Sequence, residues 1–249
     1  MPAFCKIIHQ MTSQSGLIFG IVNLLKTKLM ISNKFWLRAA GLAGILGGLI
    51  LFAGDMLFYY NSTGTDLQMN MGHASDIRIK LSAVSALFAT WFYLLGLLQV
   101  DYAFKTASRT ARNIVIICFV AILTAYGIIH GAYVAIAVSS KLAVQYNLDI
   151  STVTELATQA NLLLRLFIYP VFAVLSFVFI KEVWKRKTLY PRQMVFFFPL
   201  FPFLFQGILN RILSGSIKMV IMGGFLNLIL VIFFTASTIF LRHRNPKTD

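Results

Sequence analysis

The sequence predicts an all-α fold: a polytopic transmembrane bundle of six helices, with both termini in the cytoplasm. Three observations predict it. The 249 residues are 58% hydrophobic with a mean hydropathy of +0.78, whereas a soluble domain is about 45–50% apolar. Apolar runs of roughly 20–25 residues, each long enough to cross a bilayer as a helix, recur six times. Lys and Arg gather between these runs with an alternating bias.

Residues 1–35 allow three readings. Leu17 to Leu25 is apolar but too short to span, and with Lys26 and Lys28 after it reads as an interfacial amphipathic helix. A signal peptide fits in outline, although no small-residue cleavage site follows. The third reading starts the protein at Met30, so that residues 1–29 are untranslated.

The membrane domain covers 36–241. Its first span, 36–60, carries one charge in its interior, Asp55. Ala40, Gly44 and Gly48 recur every four residues and stack on one helical face, which continues to Phe52, Asp55 and Tyr59. Small residues permit close helix contact, and a carboxylate avoids lipid. The loop 61–80 holds a glycosylation-like Asn61-Ser62-Thr63 together with Asp66, His73, Asp76 and Arg78. The second span, 81–104, has a small face of Ser82, Ser85, Ala89 and Gly96. The third starts near Asn113 and runs past Val138 towards Tyr146. Its Tyr126, His130 and Tyr133 share a face.

The fourth span, 160–184, carries Asn161 and Arg165 one turn apart, and Pro170 should bend it. Ser151 with Glu155 nearby offers a start for that helix. The fifth, 194–213, is interrupted by Pro199 and Pro202, and places Pro202, Gln206 and Asn210 at four-residue intervals. The sixth, 217–241, carries Gly223, Gly224 and Asn227, and a basic tail, 242–249, follows. The 23 phenylalanines suit lipid-facing surfaces.

Counted over alternate connections, the N-terminal segment, second loop, fourth loop and tail hold 16 Lys and Arg, against 5 on the other side. The positive-inside rule puts the first set in the cytoplasm. The polar residues within the spans then fall on the outward side. Asp55, Tyr59, Tyr126, His130, Arg165, Gln206, Asn210 and Asn227 become candidate lining residues of an outward-facing polar pocket. The bland reading of the same residues is a buried Asp55–Arg165 ion pair and interhelical hydrogen bonds that only hold helices in register.

Several function classes lose support. The net charge of +14 would suggest nucleic acid in a soluble protein. Here the basic residues flank spans and no basic recognition motif is present, so no nucleic-acid partner is predicted. Two cysteines, Cys5 and Cys118, give no disulfide framework or Cys-rich metal site. His73, His130, Asp55 and Asp76 are ligand types that suit zinc, but without a zinc-motif spacing. No cofactor and no metal site is predicted. Ser75 and Ser82 lack a serine-hydrolase context. No ATP-binding loop is present, and no internal repeat matches the proline break of the fifth span.

Gly54-Asp55 followed by Tyr59, then Trp91-Phe92-Tyr93-Leu94-Leu95-Gly96 with Gln99, then His130, then Gly223-Gly224-Phe225-Leu226-Asn227 with Phe233-Phe234, resembles a family of uncharacterised six-helix bacterial integral membrane proteins. The likeness covers about Leu37 to Leu241. It implies the fold and a bacterial cytoplasmic (inner) membrane location, and no chemistry. Residues 1–29 fall outside it, which favours the Met30 start.

The leading expectation is a pocket that binds, or binds and transports, a lipid or small amphiphilic ligand. One alternative is an enzyme acting on an outer-leaflet lipid, with His130 as base or metal ligand. Another is a non-catalytic subunit that uses its small-residue faces for a membrane-protein partner or a second copy.

Overall fold

A computed structural model describes residues 34–60 and 66–242. The interfacial-helix, signal-peptide and Met30 readings, the Asn61-Ser62-Thr63 site and most of the basic tail lie outside those residues. Ten helices and no strand occur among the described residues: α1 Lys34–Tyr59, α2 Leu67–Gly72, α3 Asp76–Ala103, α4 Arg109–Tyr146, α5 Ile150–Trp184, α6 Met194–Phe197, α7 Leu200–Leu204, α8 Gln206–Ile212, α9 Gly215–Gly223 and α10 Phe225–Arg242.

Five of these, α1, α3, α4, α5 and α10, are long and apolar enough to cross a membrane. The expected fifth span, 194–213, is interrupted as its prolines suggested, and forms three short helices. Proline is the cause. Pro199 and Pro202 contribute no backbone N–H. Phe198, directly before a proline, is extended at φ −68° and ψ 139°, the region that residue is restricted to. A second extended pair, Leu213 and Ser214, separates α8 from α9. The sixth expected span is likewise divided, at Gly224.

The other boundaries follow from capping. Asp66, Ser108 and Asp149 each accept a hydrogen bond from the backbone N–H three residues on, starting α2, α4 and α5. Asp149 starts α5 ten residues before the predicted fourth span. Asn147, left-handed at φ 56°, ends α4. Arg78 closes the far end of α1 by donating to the carbonyls of Met56 (3.2 Å) and Tyr60 (2.8 Å), satisfying acceptors that a helix terminus leaves open.

α1 is the central element, packed on α3 and on α10. Its glycine face makes this packing. A Cβ placed on Gly96 of α3 would lie 2.7 Å from the Gly44 Cα, so the two backbones meet without side chains between them. α4 covers α3, and α5 packs on α4. Towards the loops that carry Lys105, Arg109 and Lys185–Lys187, the core is aromatic. Phe104, Phe119, Phe179, Phe198 and Phe233 are buried there, with Phe179 stacked on Phe198 at 4.4 Å. Part of the phenylalanine content thus fills the interior, beside the lipid-facing surfaces that composition suggested.

Polar bonds lock this basic end. Gln99 donates to the Leu37 carbonyl (3.2 Å) and accepts from Ser237 Oγ (2.7 Å). Ser237 Oγ is also 2.7 Å from the Tyr190 hydroxyl. Leu189 N donates to Ala103 O at 2.8 Å. The Arg112 guanidinium holds Asp101 through two bonds, one of them 2.6 Å from Nε. From Tyr190 the chain climbs through α6 and α7 to Gln206 at the opposite end. It returns down α10 to Thr238, which is in contact with Gln99.

Candidate functional site

Helical rise places the candidate residues at a common depth. Asp55 follows Trp36 of α1 by about 28 Å of helix, His130 follows Arg112 of α4 by about 27 Å, and Arg165 precedes Trp184 of α5 by about 28 Å. A hydrocarbon core is about 30 Å thick. With Trp36, Arg112 and Trp184 at one interface, all three sit near the other. Beyond them α4 and α5 continue as a hairpin, turning at Asn147–Asp149.

A cavity of about 320 Å³ lies at this depth. It is bounded by α1, α4, α5, the proline-broken segment and the junction of α9 with α10. Asp55, Tyr59, Tyr126, His130, Arg165, Gln206 and Asn227 all line it. Asn210 does not, and is exposed. It is one turn beyond Gln206 on the same helix, about 6 Å further along α8. His73 is also exposed, Asp76 pairs with Lys141 at 2.5 Å, and Arg78 is spent on α1. None of these three lines the cavity.

Asp55 is buried, 7% exposed. Its Oδ2 accepts a 2.6 Å hydrogen bond from Asn227 Nδ2, and its Oδ1 lies 3.2 Å from His130 Nδ1. Asn227 Oδ1 in turn accepts from the Tyr93 hydroxyl at 3.0 Å. The small face of α1 turns Asp55 towards α4 and α10. Gly48 lets α10 approach, since a Cβ there would lie 3.1 Å from the Asn227 carbonyl oxygen.

The anticipated Asp55–Arg165 ion pair is not formed. Arg165 projects from α5 onto Tyr133, donating to its hydroxyl and lying 5.1 Å from its ring centroid. Its Nε is buried with no hydrogen-bond partner, and no carboxylate among the described residues is within ion-pair distance. α4 instead presents His130 to Asp55. Asn161, the other polar residue near Arg165, donates to the Ile129 carbonyl (3.2 Å) and ties α5 to α4.

Behind His130 lies a residue that sequence reading set aside. Ser82 Oγ is 2.9 Å from His130 Nε2 and donates to the Gly54 carbonyl at 2.7 Å. Asp55, His130 and Ser82 thus stand in the order of a hydrolase triad. Access runs the wrong way for acyl transfer. Asp55 and His130 face the cavity, while Ser82 is fully buried and absent from its lining. A nucleophile must reach its substrate, so this Ser82 reads as a positioning group that fixes the ring, with Phe58 stacked on the ring at 5.2 Å. The signal in the sequence was the recurrence of Ser82 on the small face of its helix, which names the contact but not the partner. Among the described residues no three His, Cys, Asp or Glu side chains converge in a metal-holding group.

The fold and this site define a multi-pass membrane protein of the all-α class, with a polar-and-aromatic cavity at one boundary of its apolar belt. Within that class, residues 30–243 match a family described as "Family of unknown function (DUF6796)", and the chain belongs to it. No curated protein and no solved structure matches the chain.

Proposed function

We propose that the protein binds a lipid or small amphiphile in this cavity, from the outer side of a bacterial cytoplasmic membrane. The observation that carries the reading is the cavity itself. It has a volume of about 320 Å³, within the range of roughly 300–1,000 Å³ usual for ligand pockets. Its walls are mostly apolar and aromatic, with polar groups gathered around Asp55 and Arg165. Such a lining matches a molecule with one polar head and a hydrocarbon remainder. The depth supports the same reading, since a cavity near the end of the hydrocarbon layer meets a lipid where its head joins its chains. The outward assignment rests on the excess of Lys and Arg at the opposite end. Transport is a narrower reading, favoured only by the proline-broken segment in the cavity wall.

Native mass spectrometry of the protein in a mild detergent tests the proposal. One amphiphile retained per chain, displaced by a competing amphiphile, is the expected result. Protein that neither retains nor takes up any amphiphile contradicts it.

A further inference from the structure

We infer that the ligand is a lipid with a net negative, phosphate-bearing headgroup, held by Arg165, with its chains leaving sideways between α5 and the α7–α8 segment. This rests on the cavity-binding reading above and specifies its ligand.

Charge comes first. Both Asp55 oxygens have protein partners, Asn227 and His130. The carboxyl group of Asp55 is thus committed to the protein. Arg165 has no carboxylate within ion-pair distance among the described residues. It lines the cavity half-buried, with one hydroxyl and one ring as partners and a buried Nε that has none. Arg165 is therefore the charged group with a hydrogen-bond donor left for a ligand. The planar fork of a guanidinium suits the paired oxygens of a phosphate.

Geometry then distinguishes a lipid from a soluble phosphate. Below the cavity, α5 meets the broken segment through Phe172–Phe198 and Phe179–Phe198 ring stacking. At the level of Arg165 the two are separated by the cavity, and the wall is made of single side chains: Ile168 and Tyr169 on one side, Phe203 and Gln206 on the other. Tyr169 lines the cavity and is 55% exposed. The gap beside these side chains is the route this inference assigns to the lipid chains. The cavity volume is near the low end for ligand sites, so a headgroup and the first part of its chains fit inside while the rest lies in the bilayer.

The test is thermal unfolding of delipidated full-length protein in detergent, titrated with short-chain phosphatidylglycerol, short-chain phosphatidylcholine and glycerol 3-phosphate. Phosphatidylglycerol should stabilise with a midpoint at least tenfold lower than phosphatidylcholine, and glycerol 3-phosphate should not stabilise over the same range. R165Q should lose at least tenfold in the phosphatidylglycerol midpoint without changing that for phosphatidylcholine. R165K, which keeps the charge without the fork, should retain the preference at reduced strength. Equal response to both lipids, unchanged in R165Q, overturns the headgroup assignment and leaves the cavity reading standing. Stabilisation by glycerol 3-phosphate equal to that by phosphatidylglycerol overturns the lipid source. No response to any of the three in wild type removes the cavity reading as well. If R165Q does not fold, the wild-type ratio and R165K decide the matter: a ratio near one overturns the inference.

Discussion

Asp55 and Asn227 are 172 residues apart in the chain, yet the Asn227 amide donates a 2.6 Å hydrogen bond to the Asp55 carboxyl group. The bond joins the first long helix to the last, on the wall of the cavity. A hydrogen bond to a charged group contributes about 1.5–3 kcal/mol, so N227A should lower stability by about that amount. In double-mutant cycles read by unfolding in detergent, D55N should couple to N227A and to H130Q by about 0.5–3 kcal/mol each. The cycle of D55N with R165Q should show weaker coupling than either, since the two charges share the cavity without a direct bond. Strong coupling to Arg165 and none to Asn227 would reverse the pairing described here.

Backbone contact between α1 and α3 gives a second prediction. Any side chain at Gly96 meets the Gly44 Cα, at 2.7 Å for the first carbon alone. G96A should destabilise by about 1–3 kcal/mol, the usual cost of overpacking. Gly131 and Gly207 have no atom within 4 Å of a built Cβ, and alanine at either should leave the melting temperature nearly unchanged. Equal effects at all three positions would argue against the α1–α3 contact.

The tip of the α4–α5 hairpin should respond to acid. Hydrogen bonds from Ser151 and Thr152 hold the Asp149 carboxyl down at about 2, below its ordinary value of 3.8. A lowered carboxyl stabilises the fold in full above the unfolded value and loses that contribution as pH falls through the folded one. Amide exchange in the first turn of α5 should therefore quicken between about pH 4 and pH 2 beyond its intrinsic pH dependence. D149N, which caps without titrating, should lack the added change. The same response in both proteins would show that the cap does not titrate there.

Topology remains a charge argument and is directly testable. Reporter fusions at Arg109, Lys187 and the C-terminus should report the cytoplasm, and a fusion at Asn147 the outside. Opposite reports at two of these positions would invert the bundle and place the cavity on the inner side. Removal of residues 2–29 should leave insertion intact, because a nine-residue apolar run spans only about 13 Å. Loss of insertion would mark that segment as a targeting element.

Much of this was legible because polar residues in apolar helices are costly and seldom face lipid. That rule, with helical period and depth, suffices to gather Asp55, Tyr59, Tyr126, His130, Arg165, Gln206 and Asn227 around one cavity. The particular pairings were not legible. Whether Asp55 meets Arg165 or His130 depends on how α4 and α5 are rotated about their own axes, and a period does not fix rotation relative to neighbours. Asn210 shares its helix with Gln206, and spacing alone did not show that the cavity lining stops before the next turn. The aromatic core was missed because composition does not distinguish a phenylalanine facing lipid from one facing another helix. The Ser82–His130 contact was missed because neither residue has a local motif, and their proximity comes from helix packing alone.

The central claim, an amphiphile bound in the cavity beside Arg165, is tested most directly by photo-crosslinking. A lipid carrying a diazirine near its headgroup would be bound to the purified protein, irradiated and mapped by peptide mass spectrometry. The expected adducts fall on cavity residues such as Tyr126, Tyr169 and Phe203, and unlabelled lipid suppresses them in a saturable way. Adducts spread over exposed faces such as Leu156 and Phe177, with none in the cavity and no competition, would contradict the account.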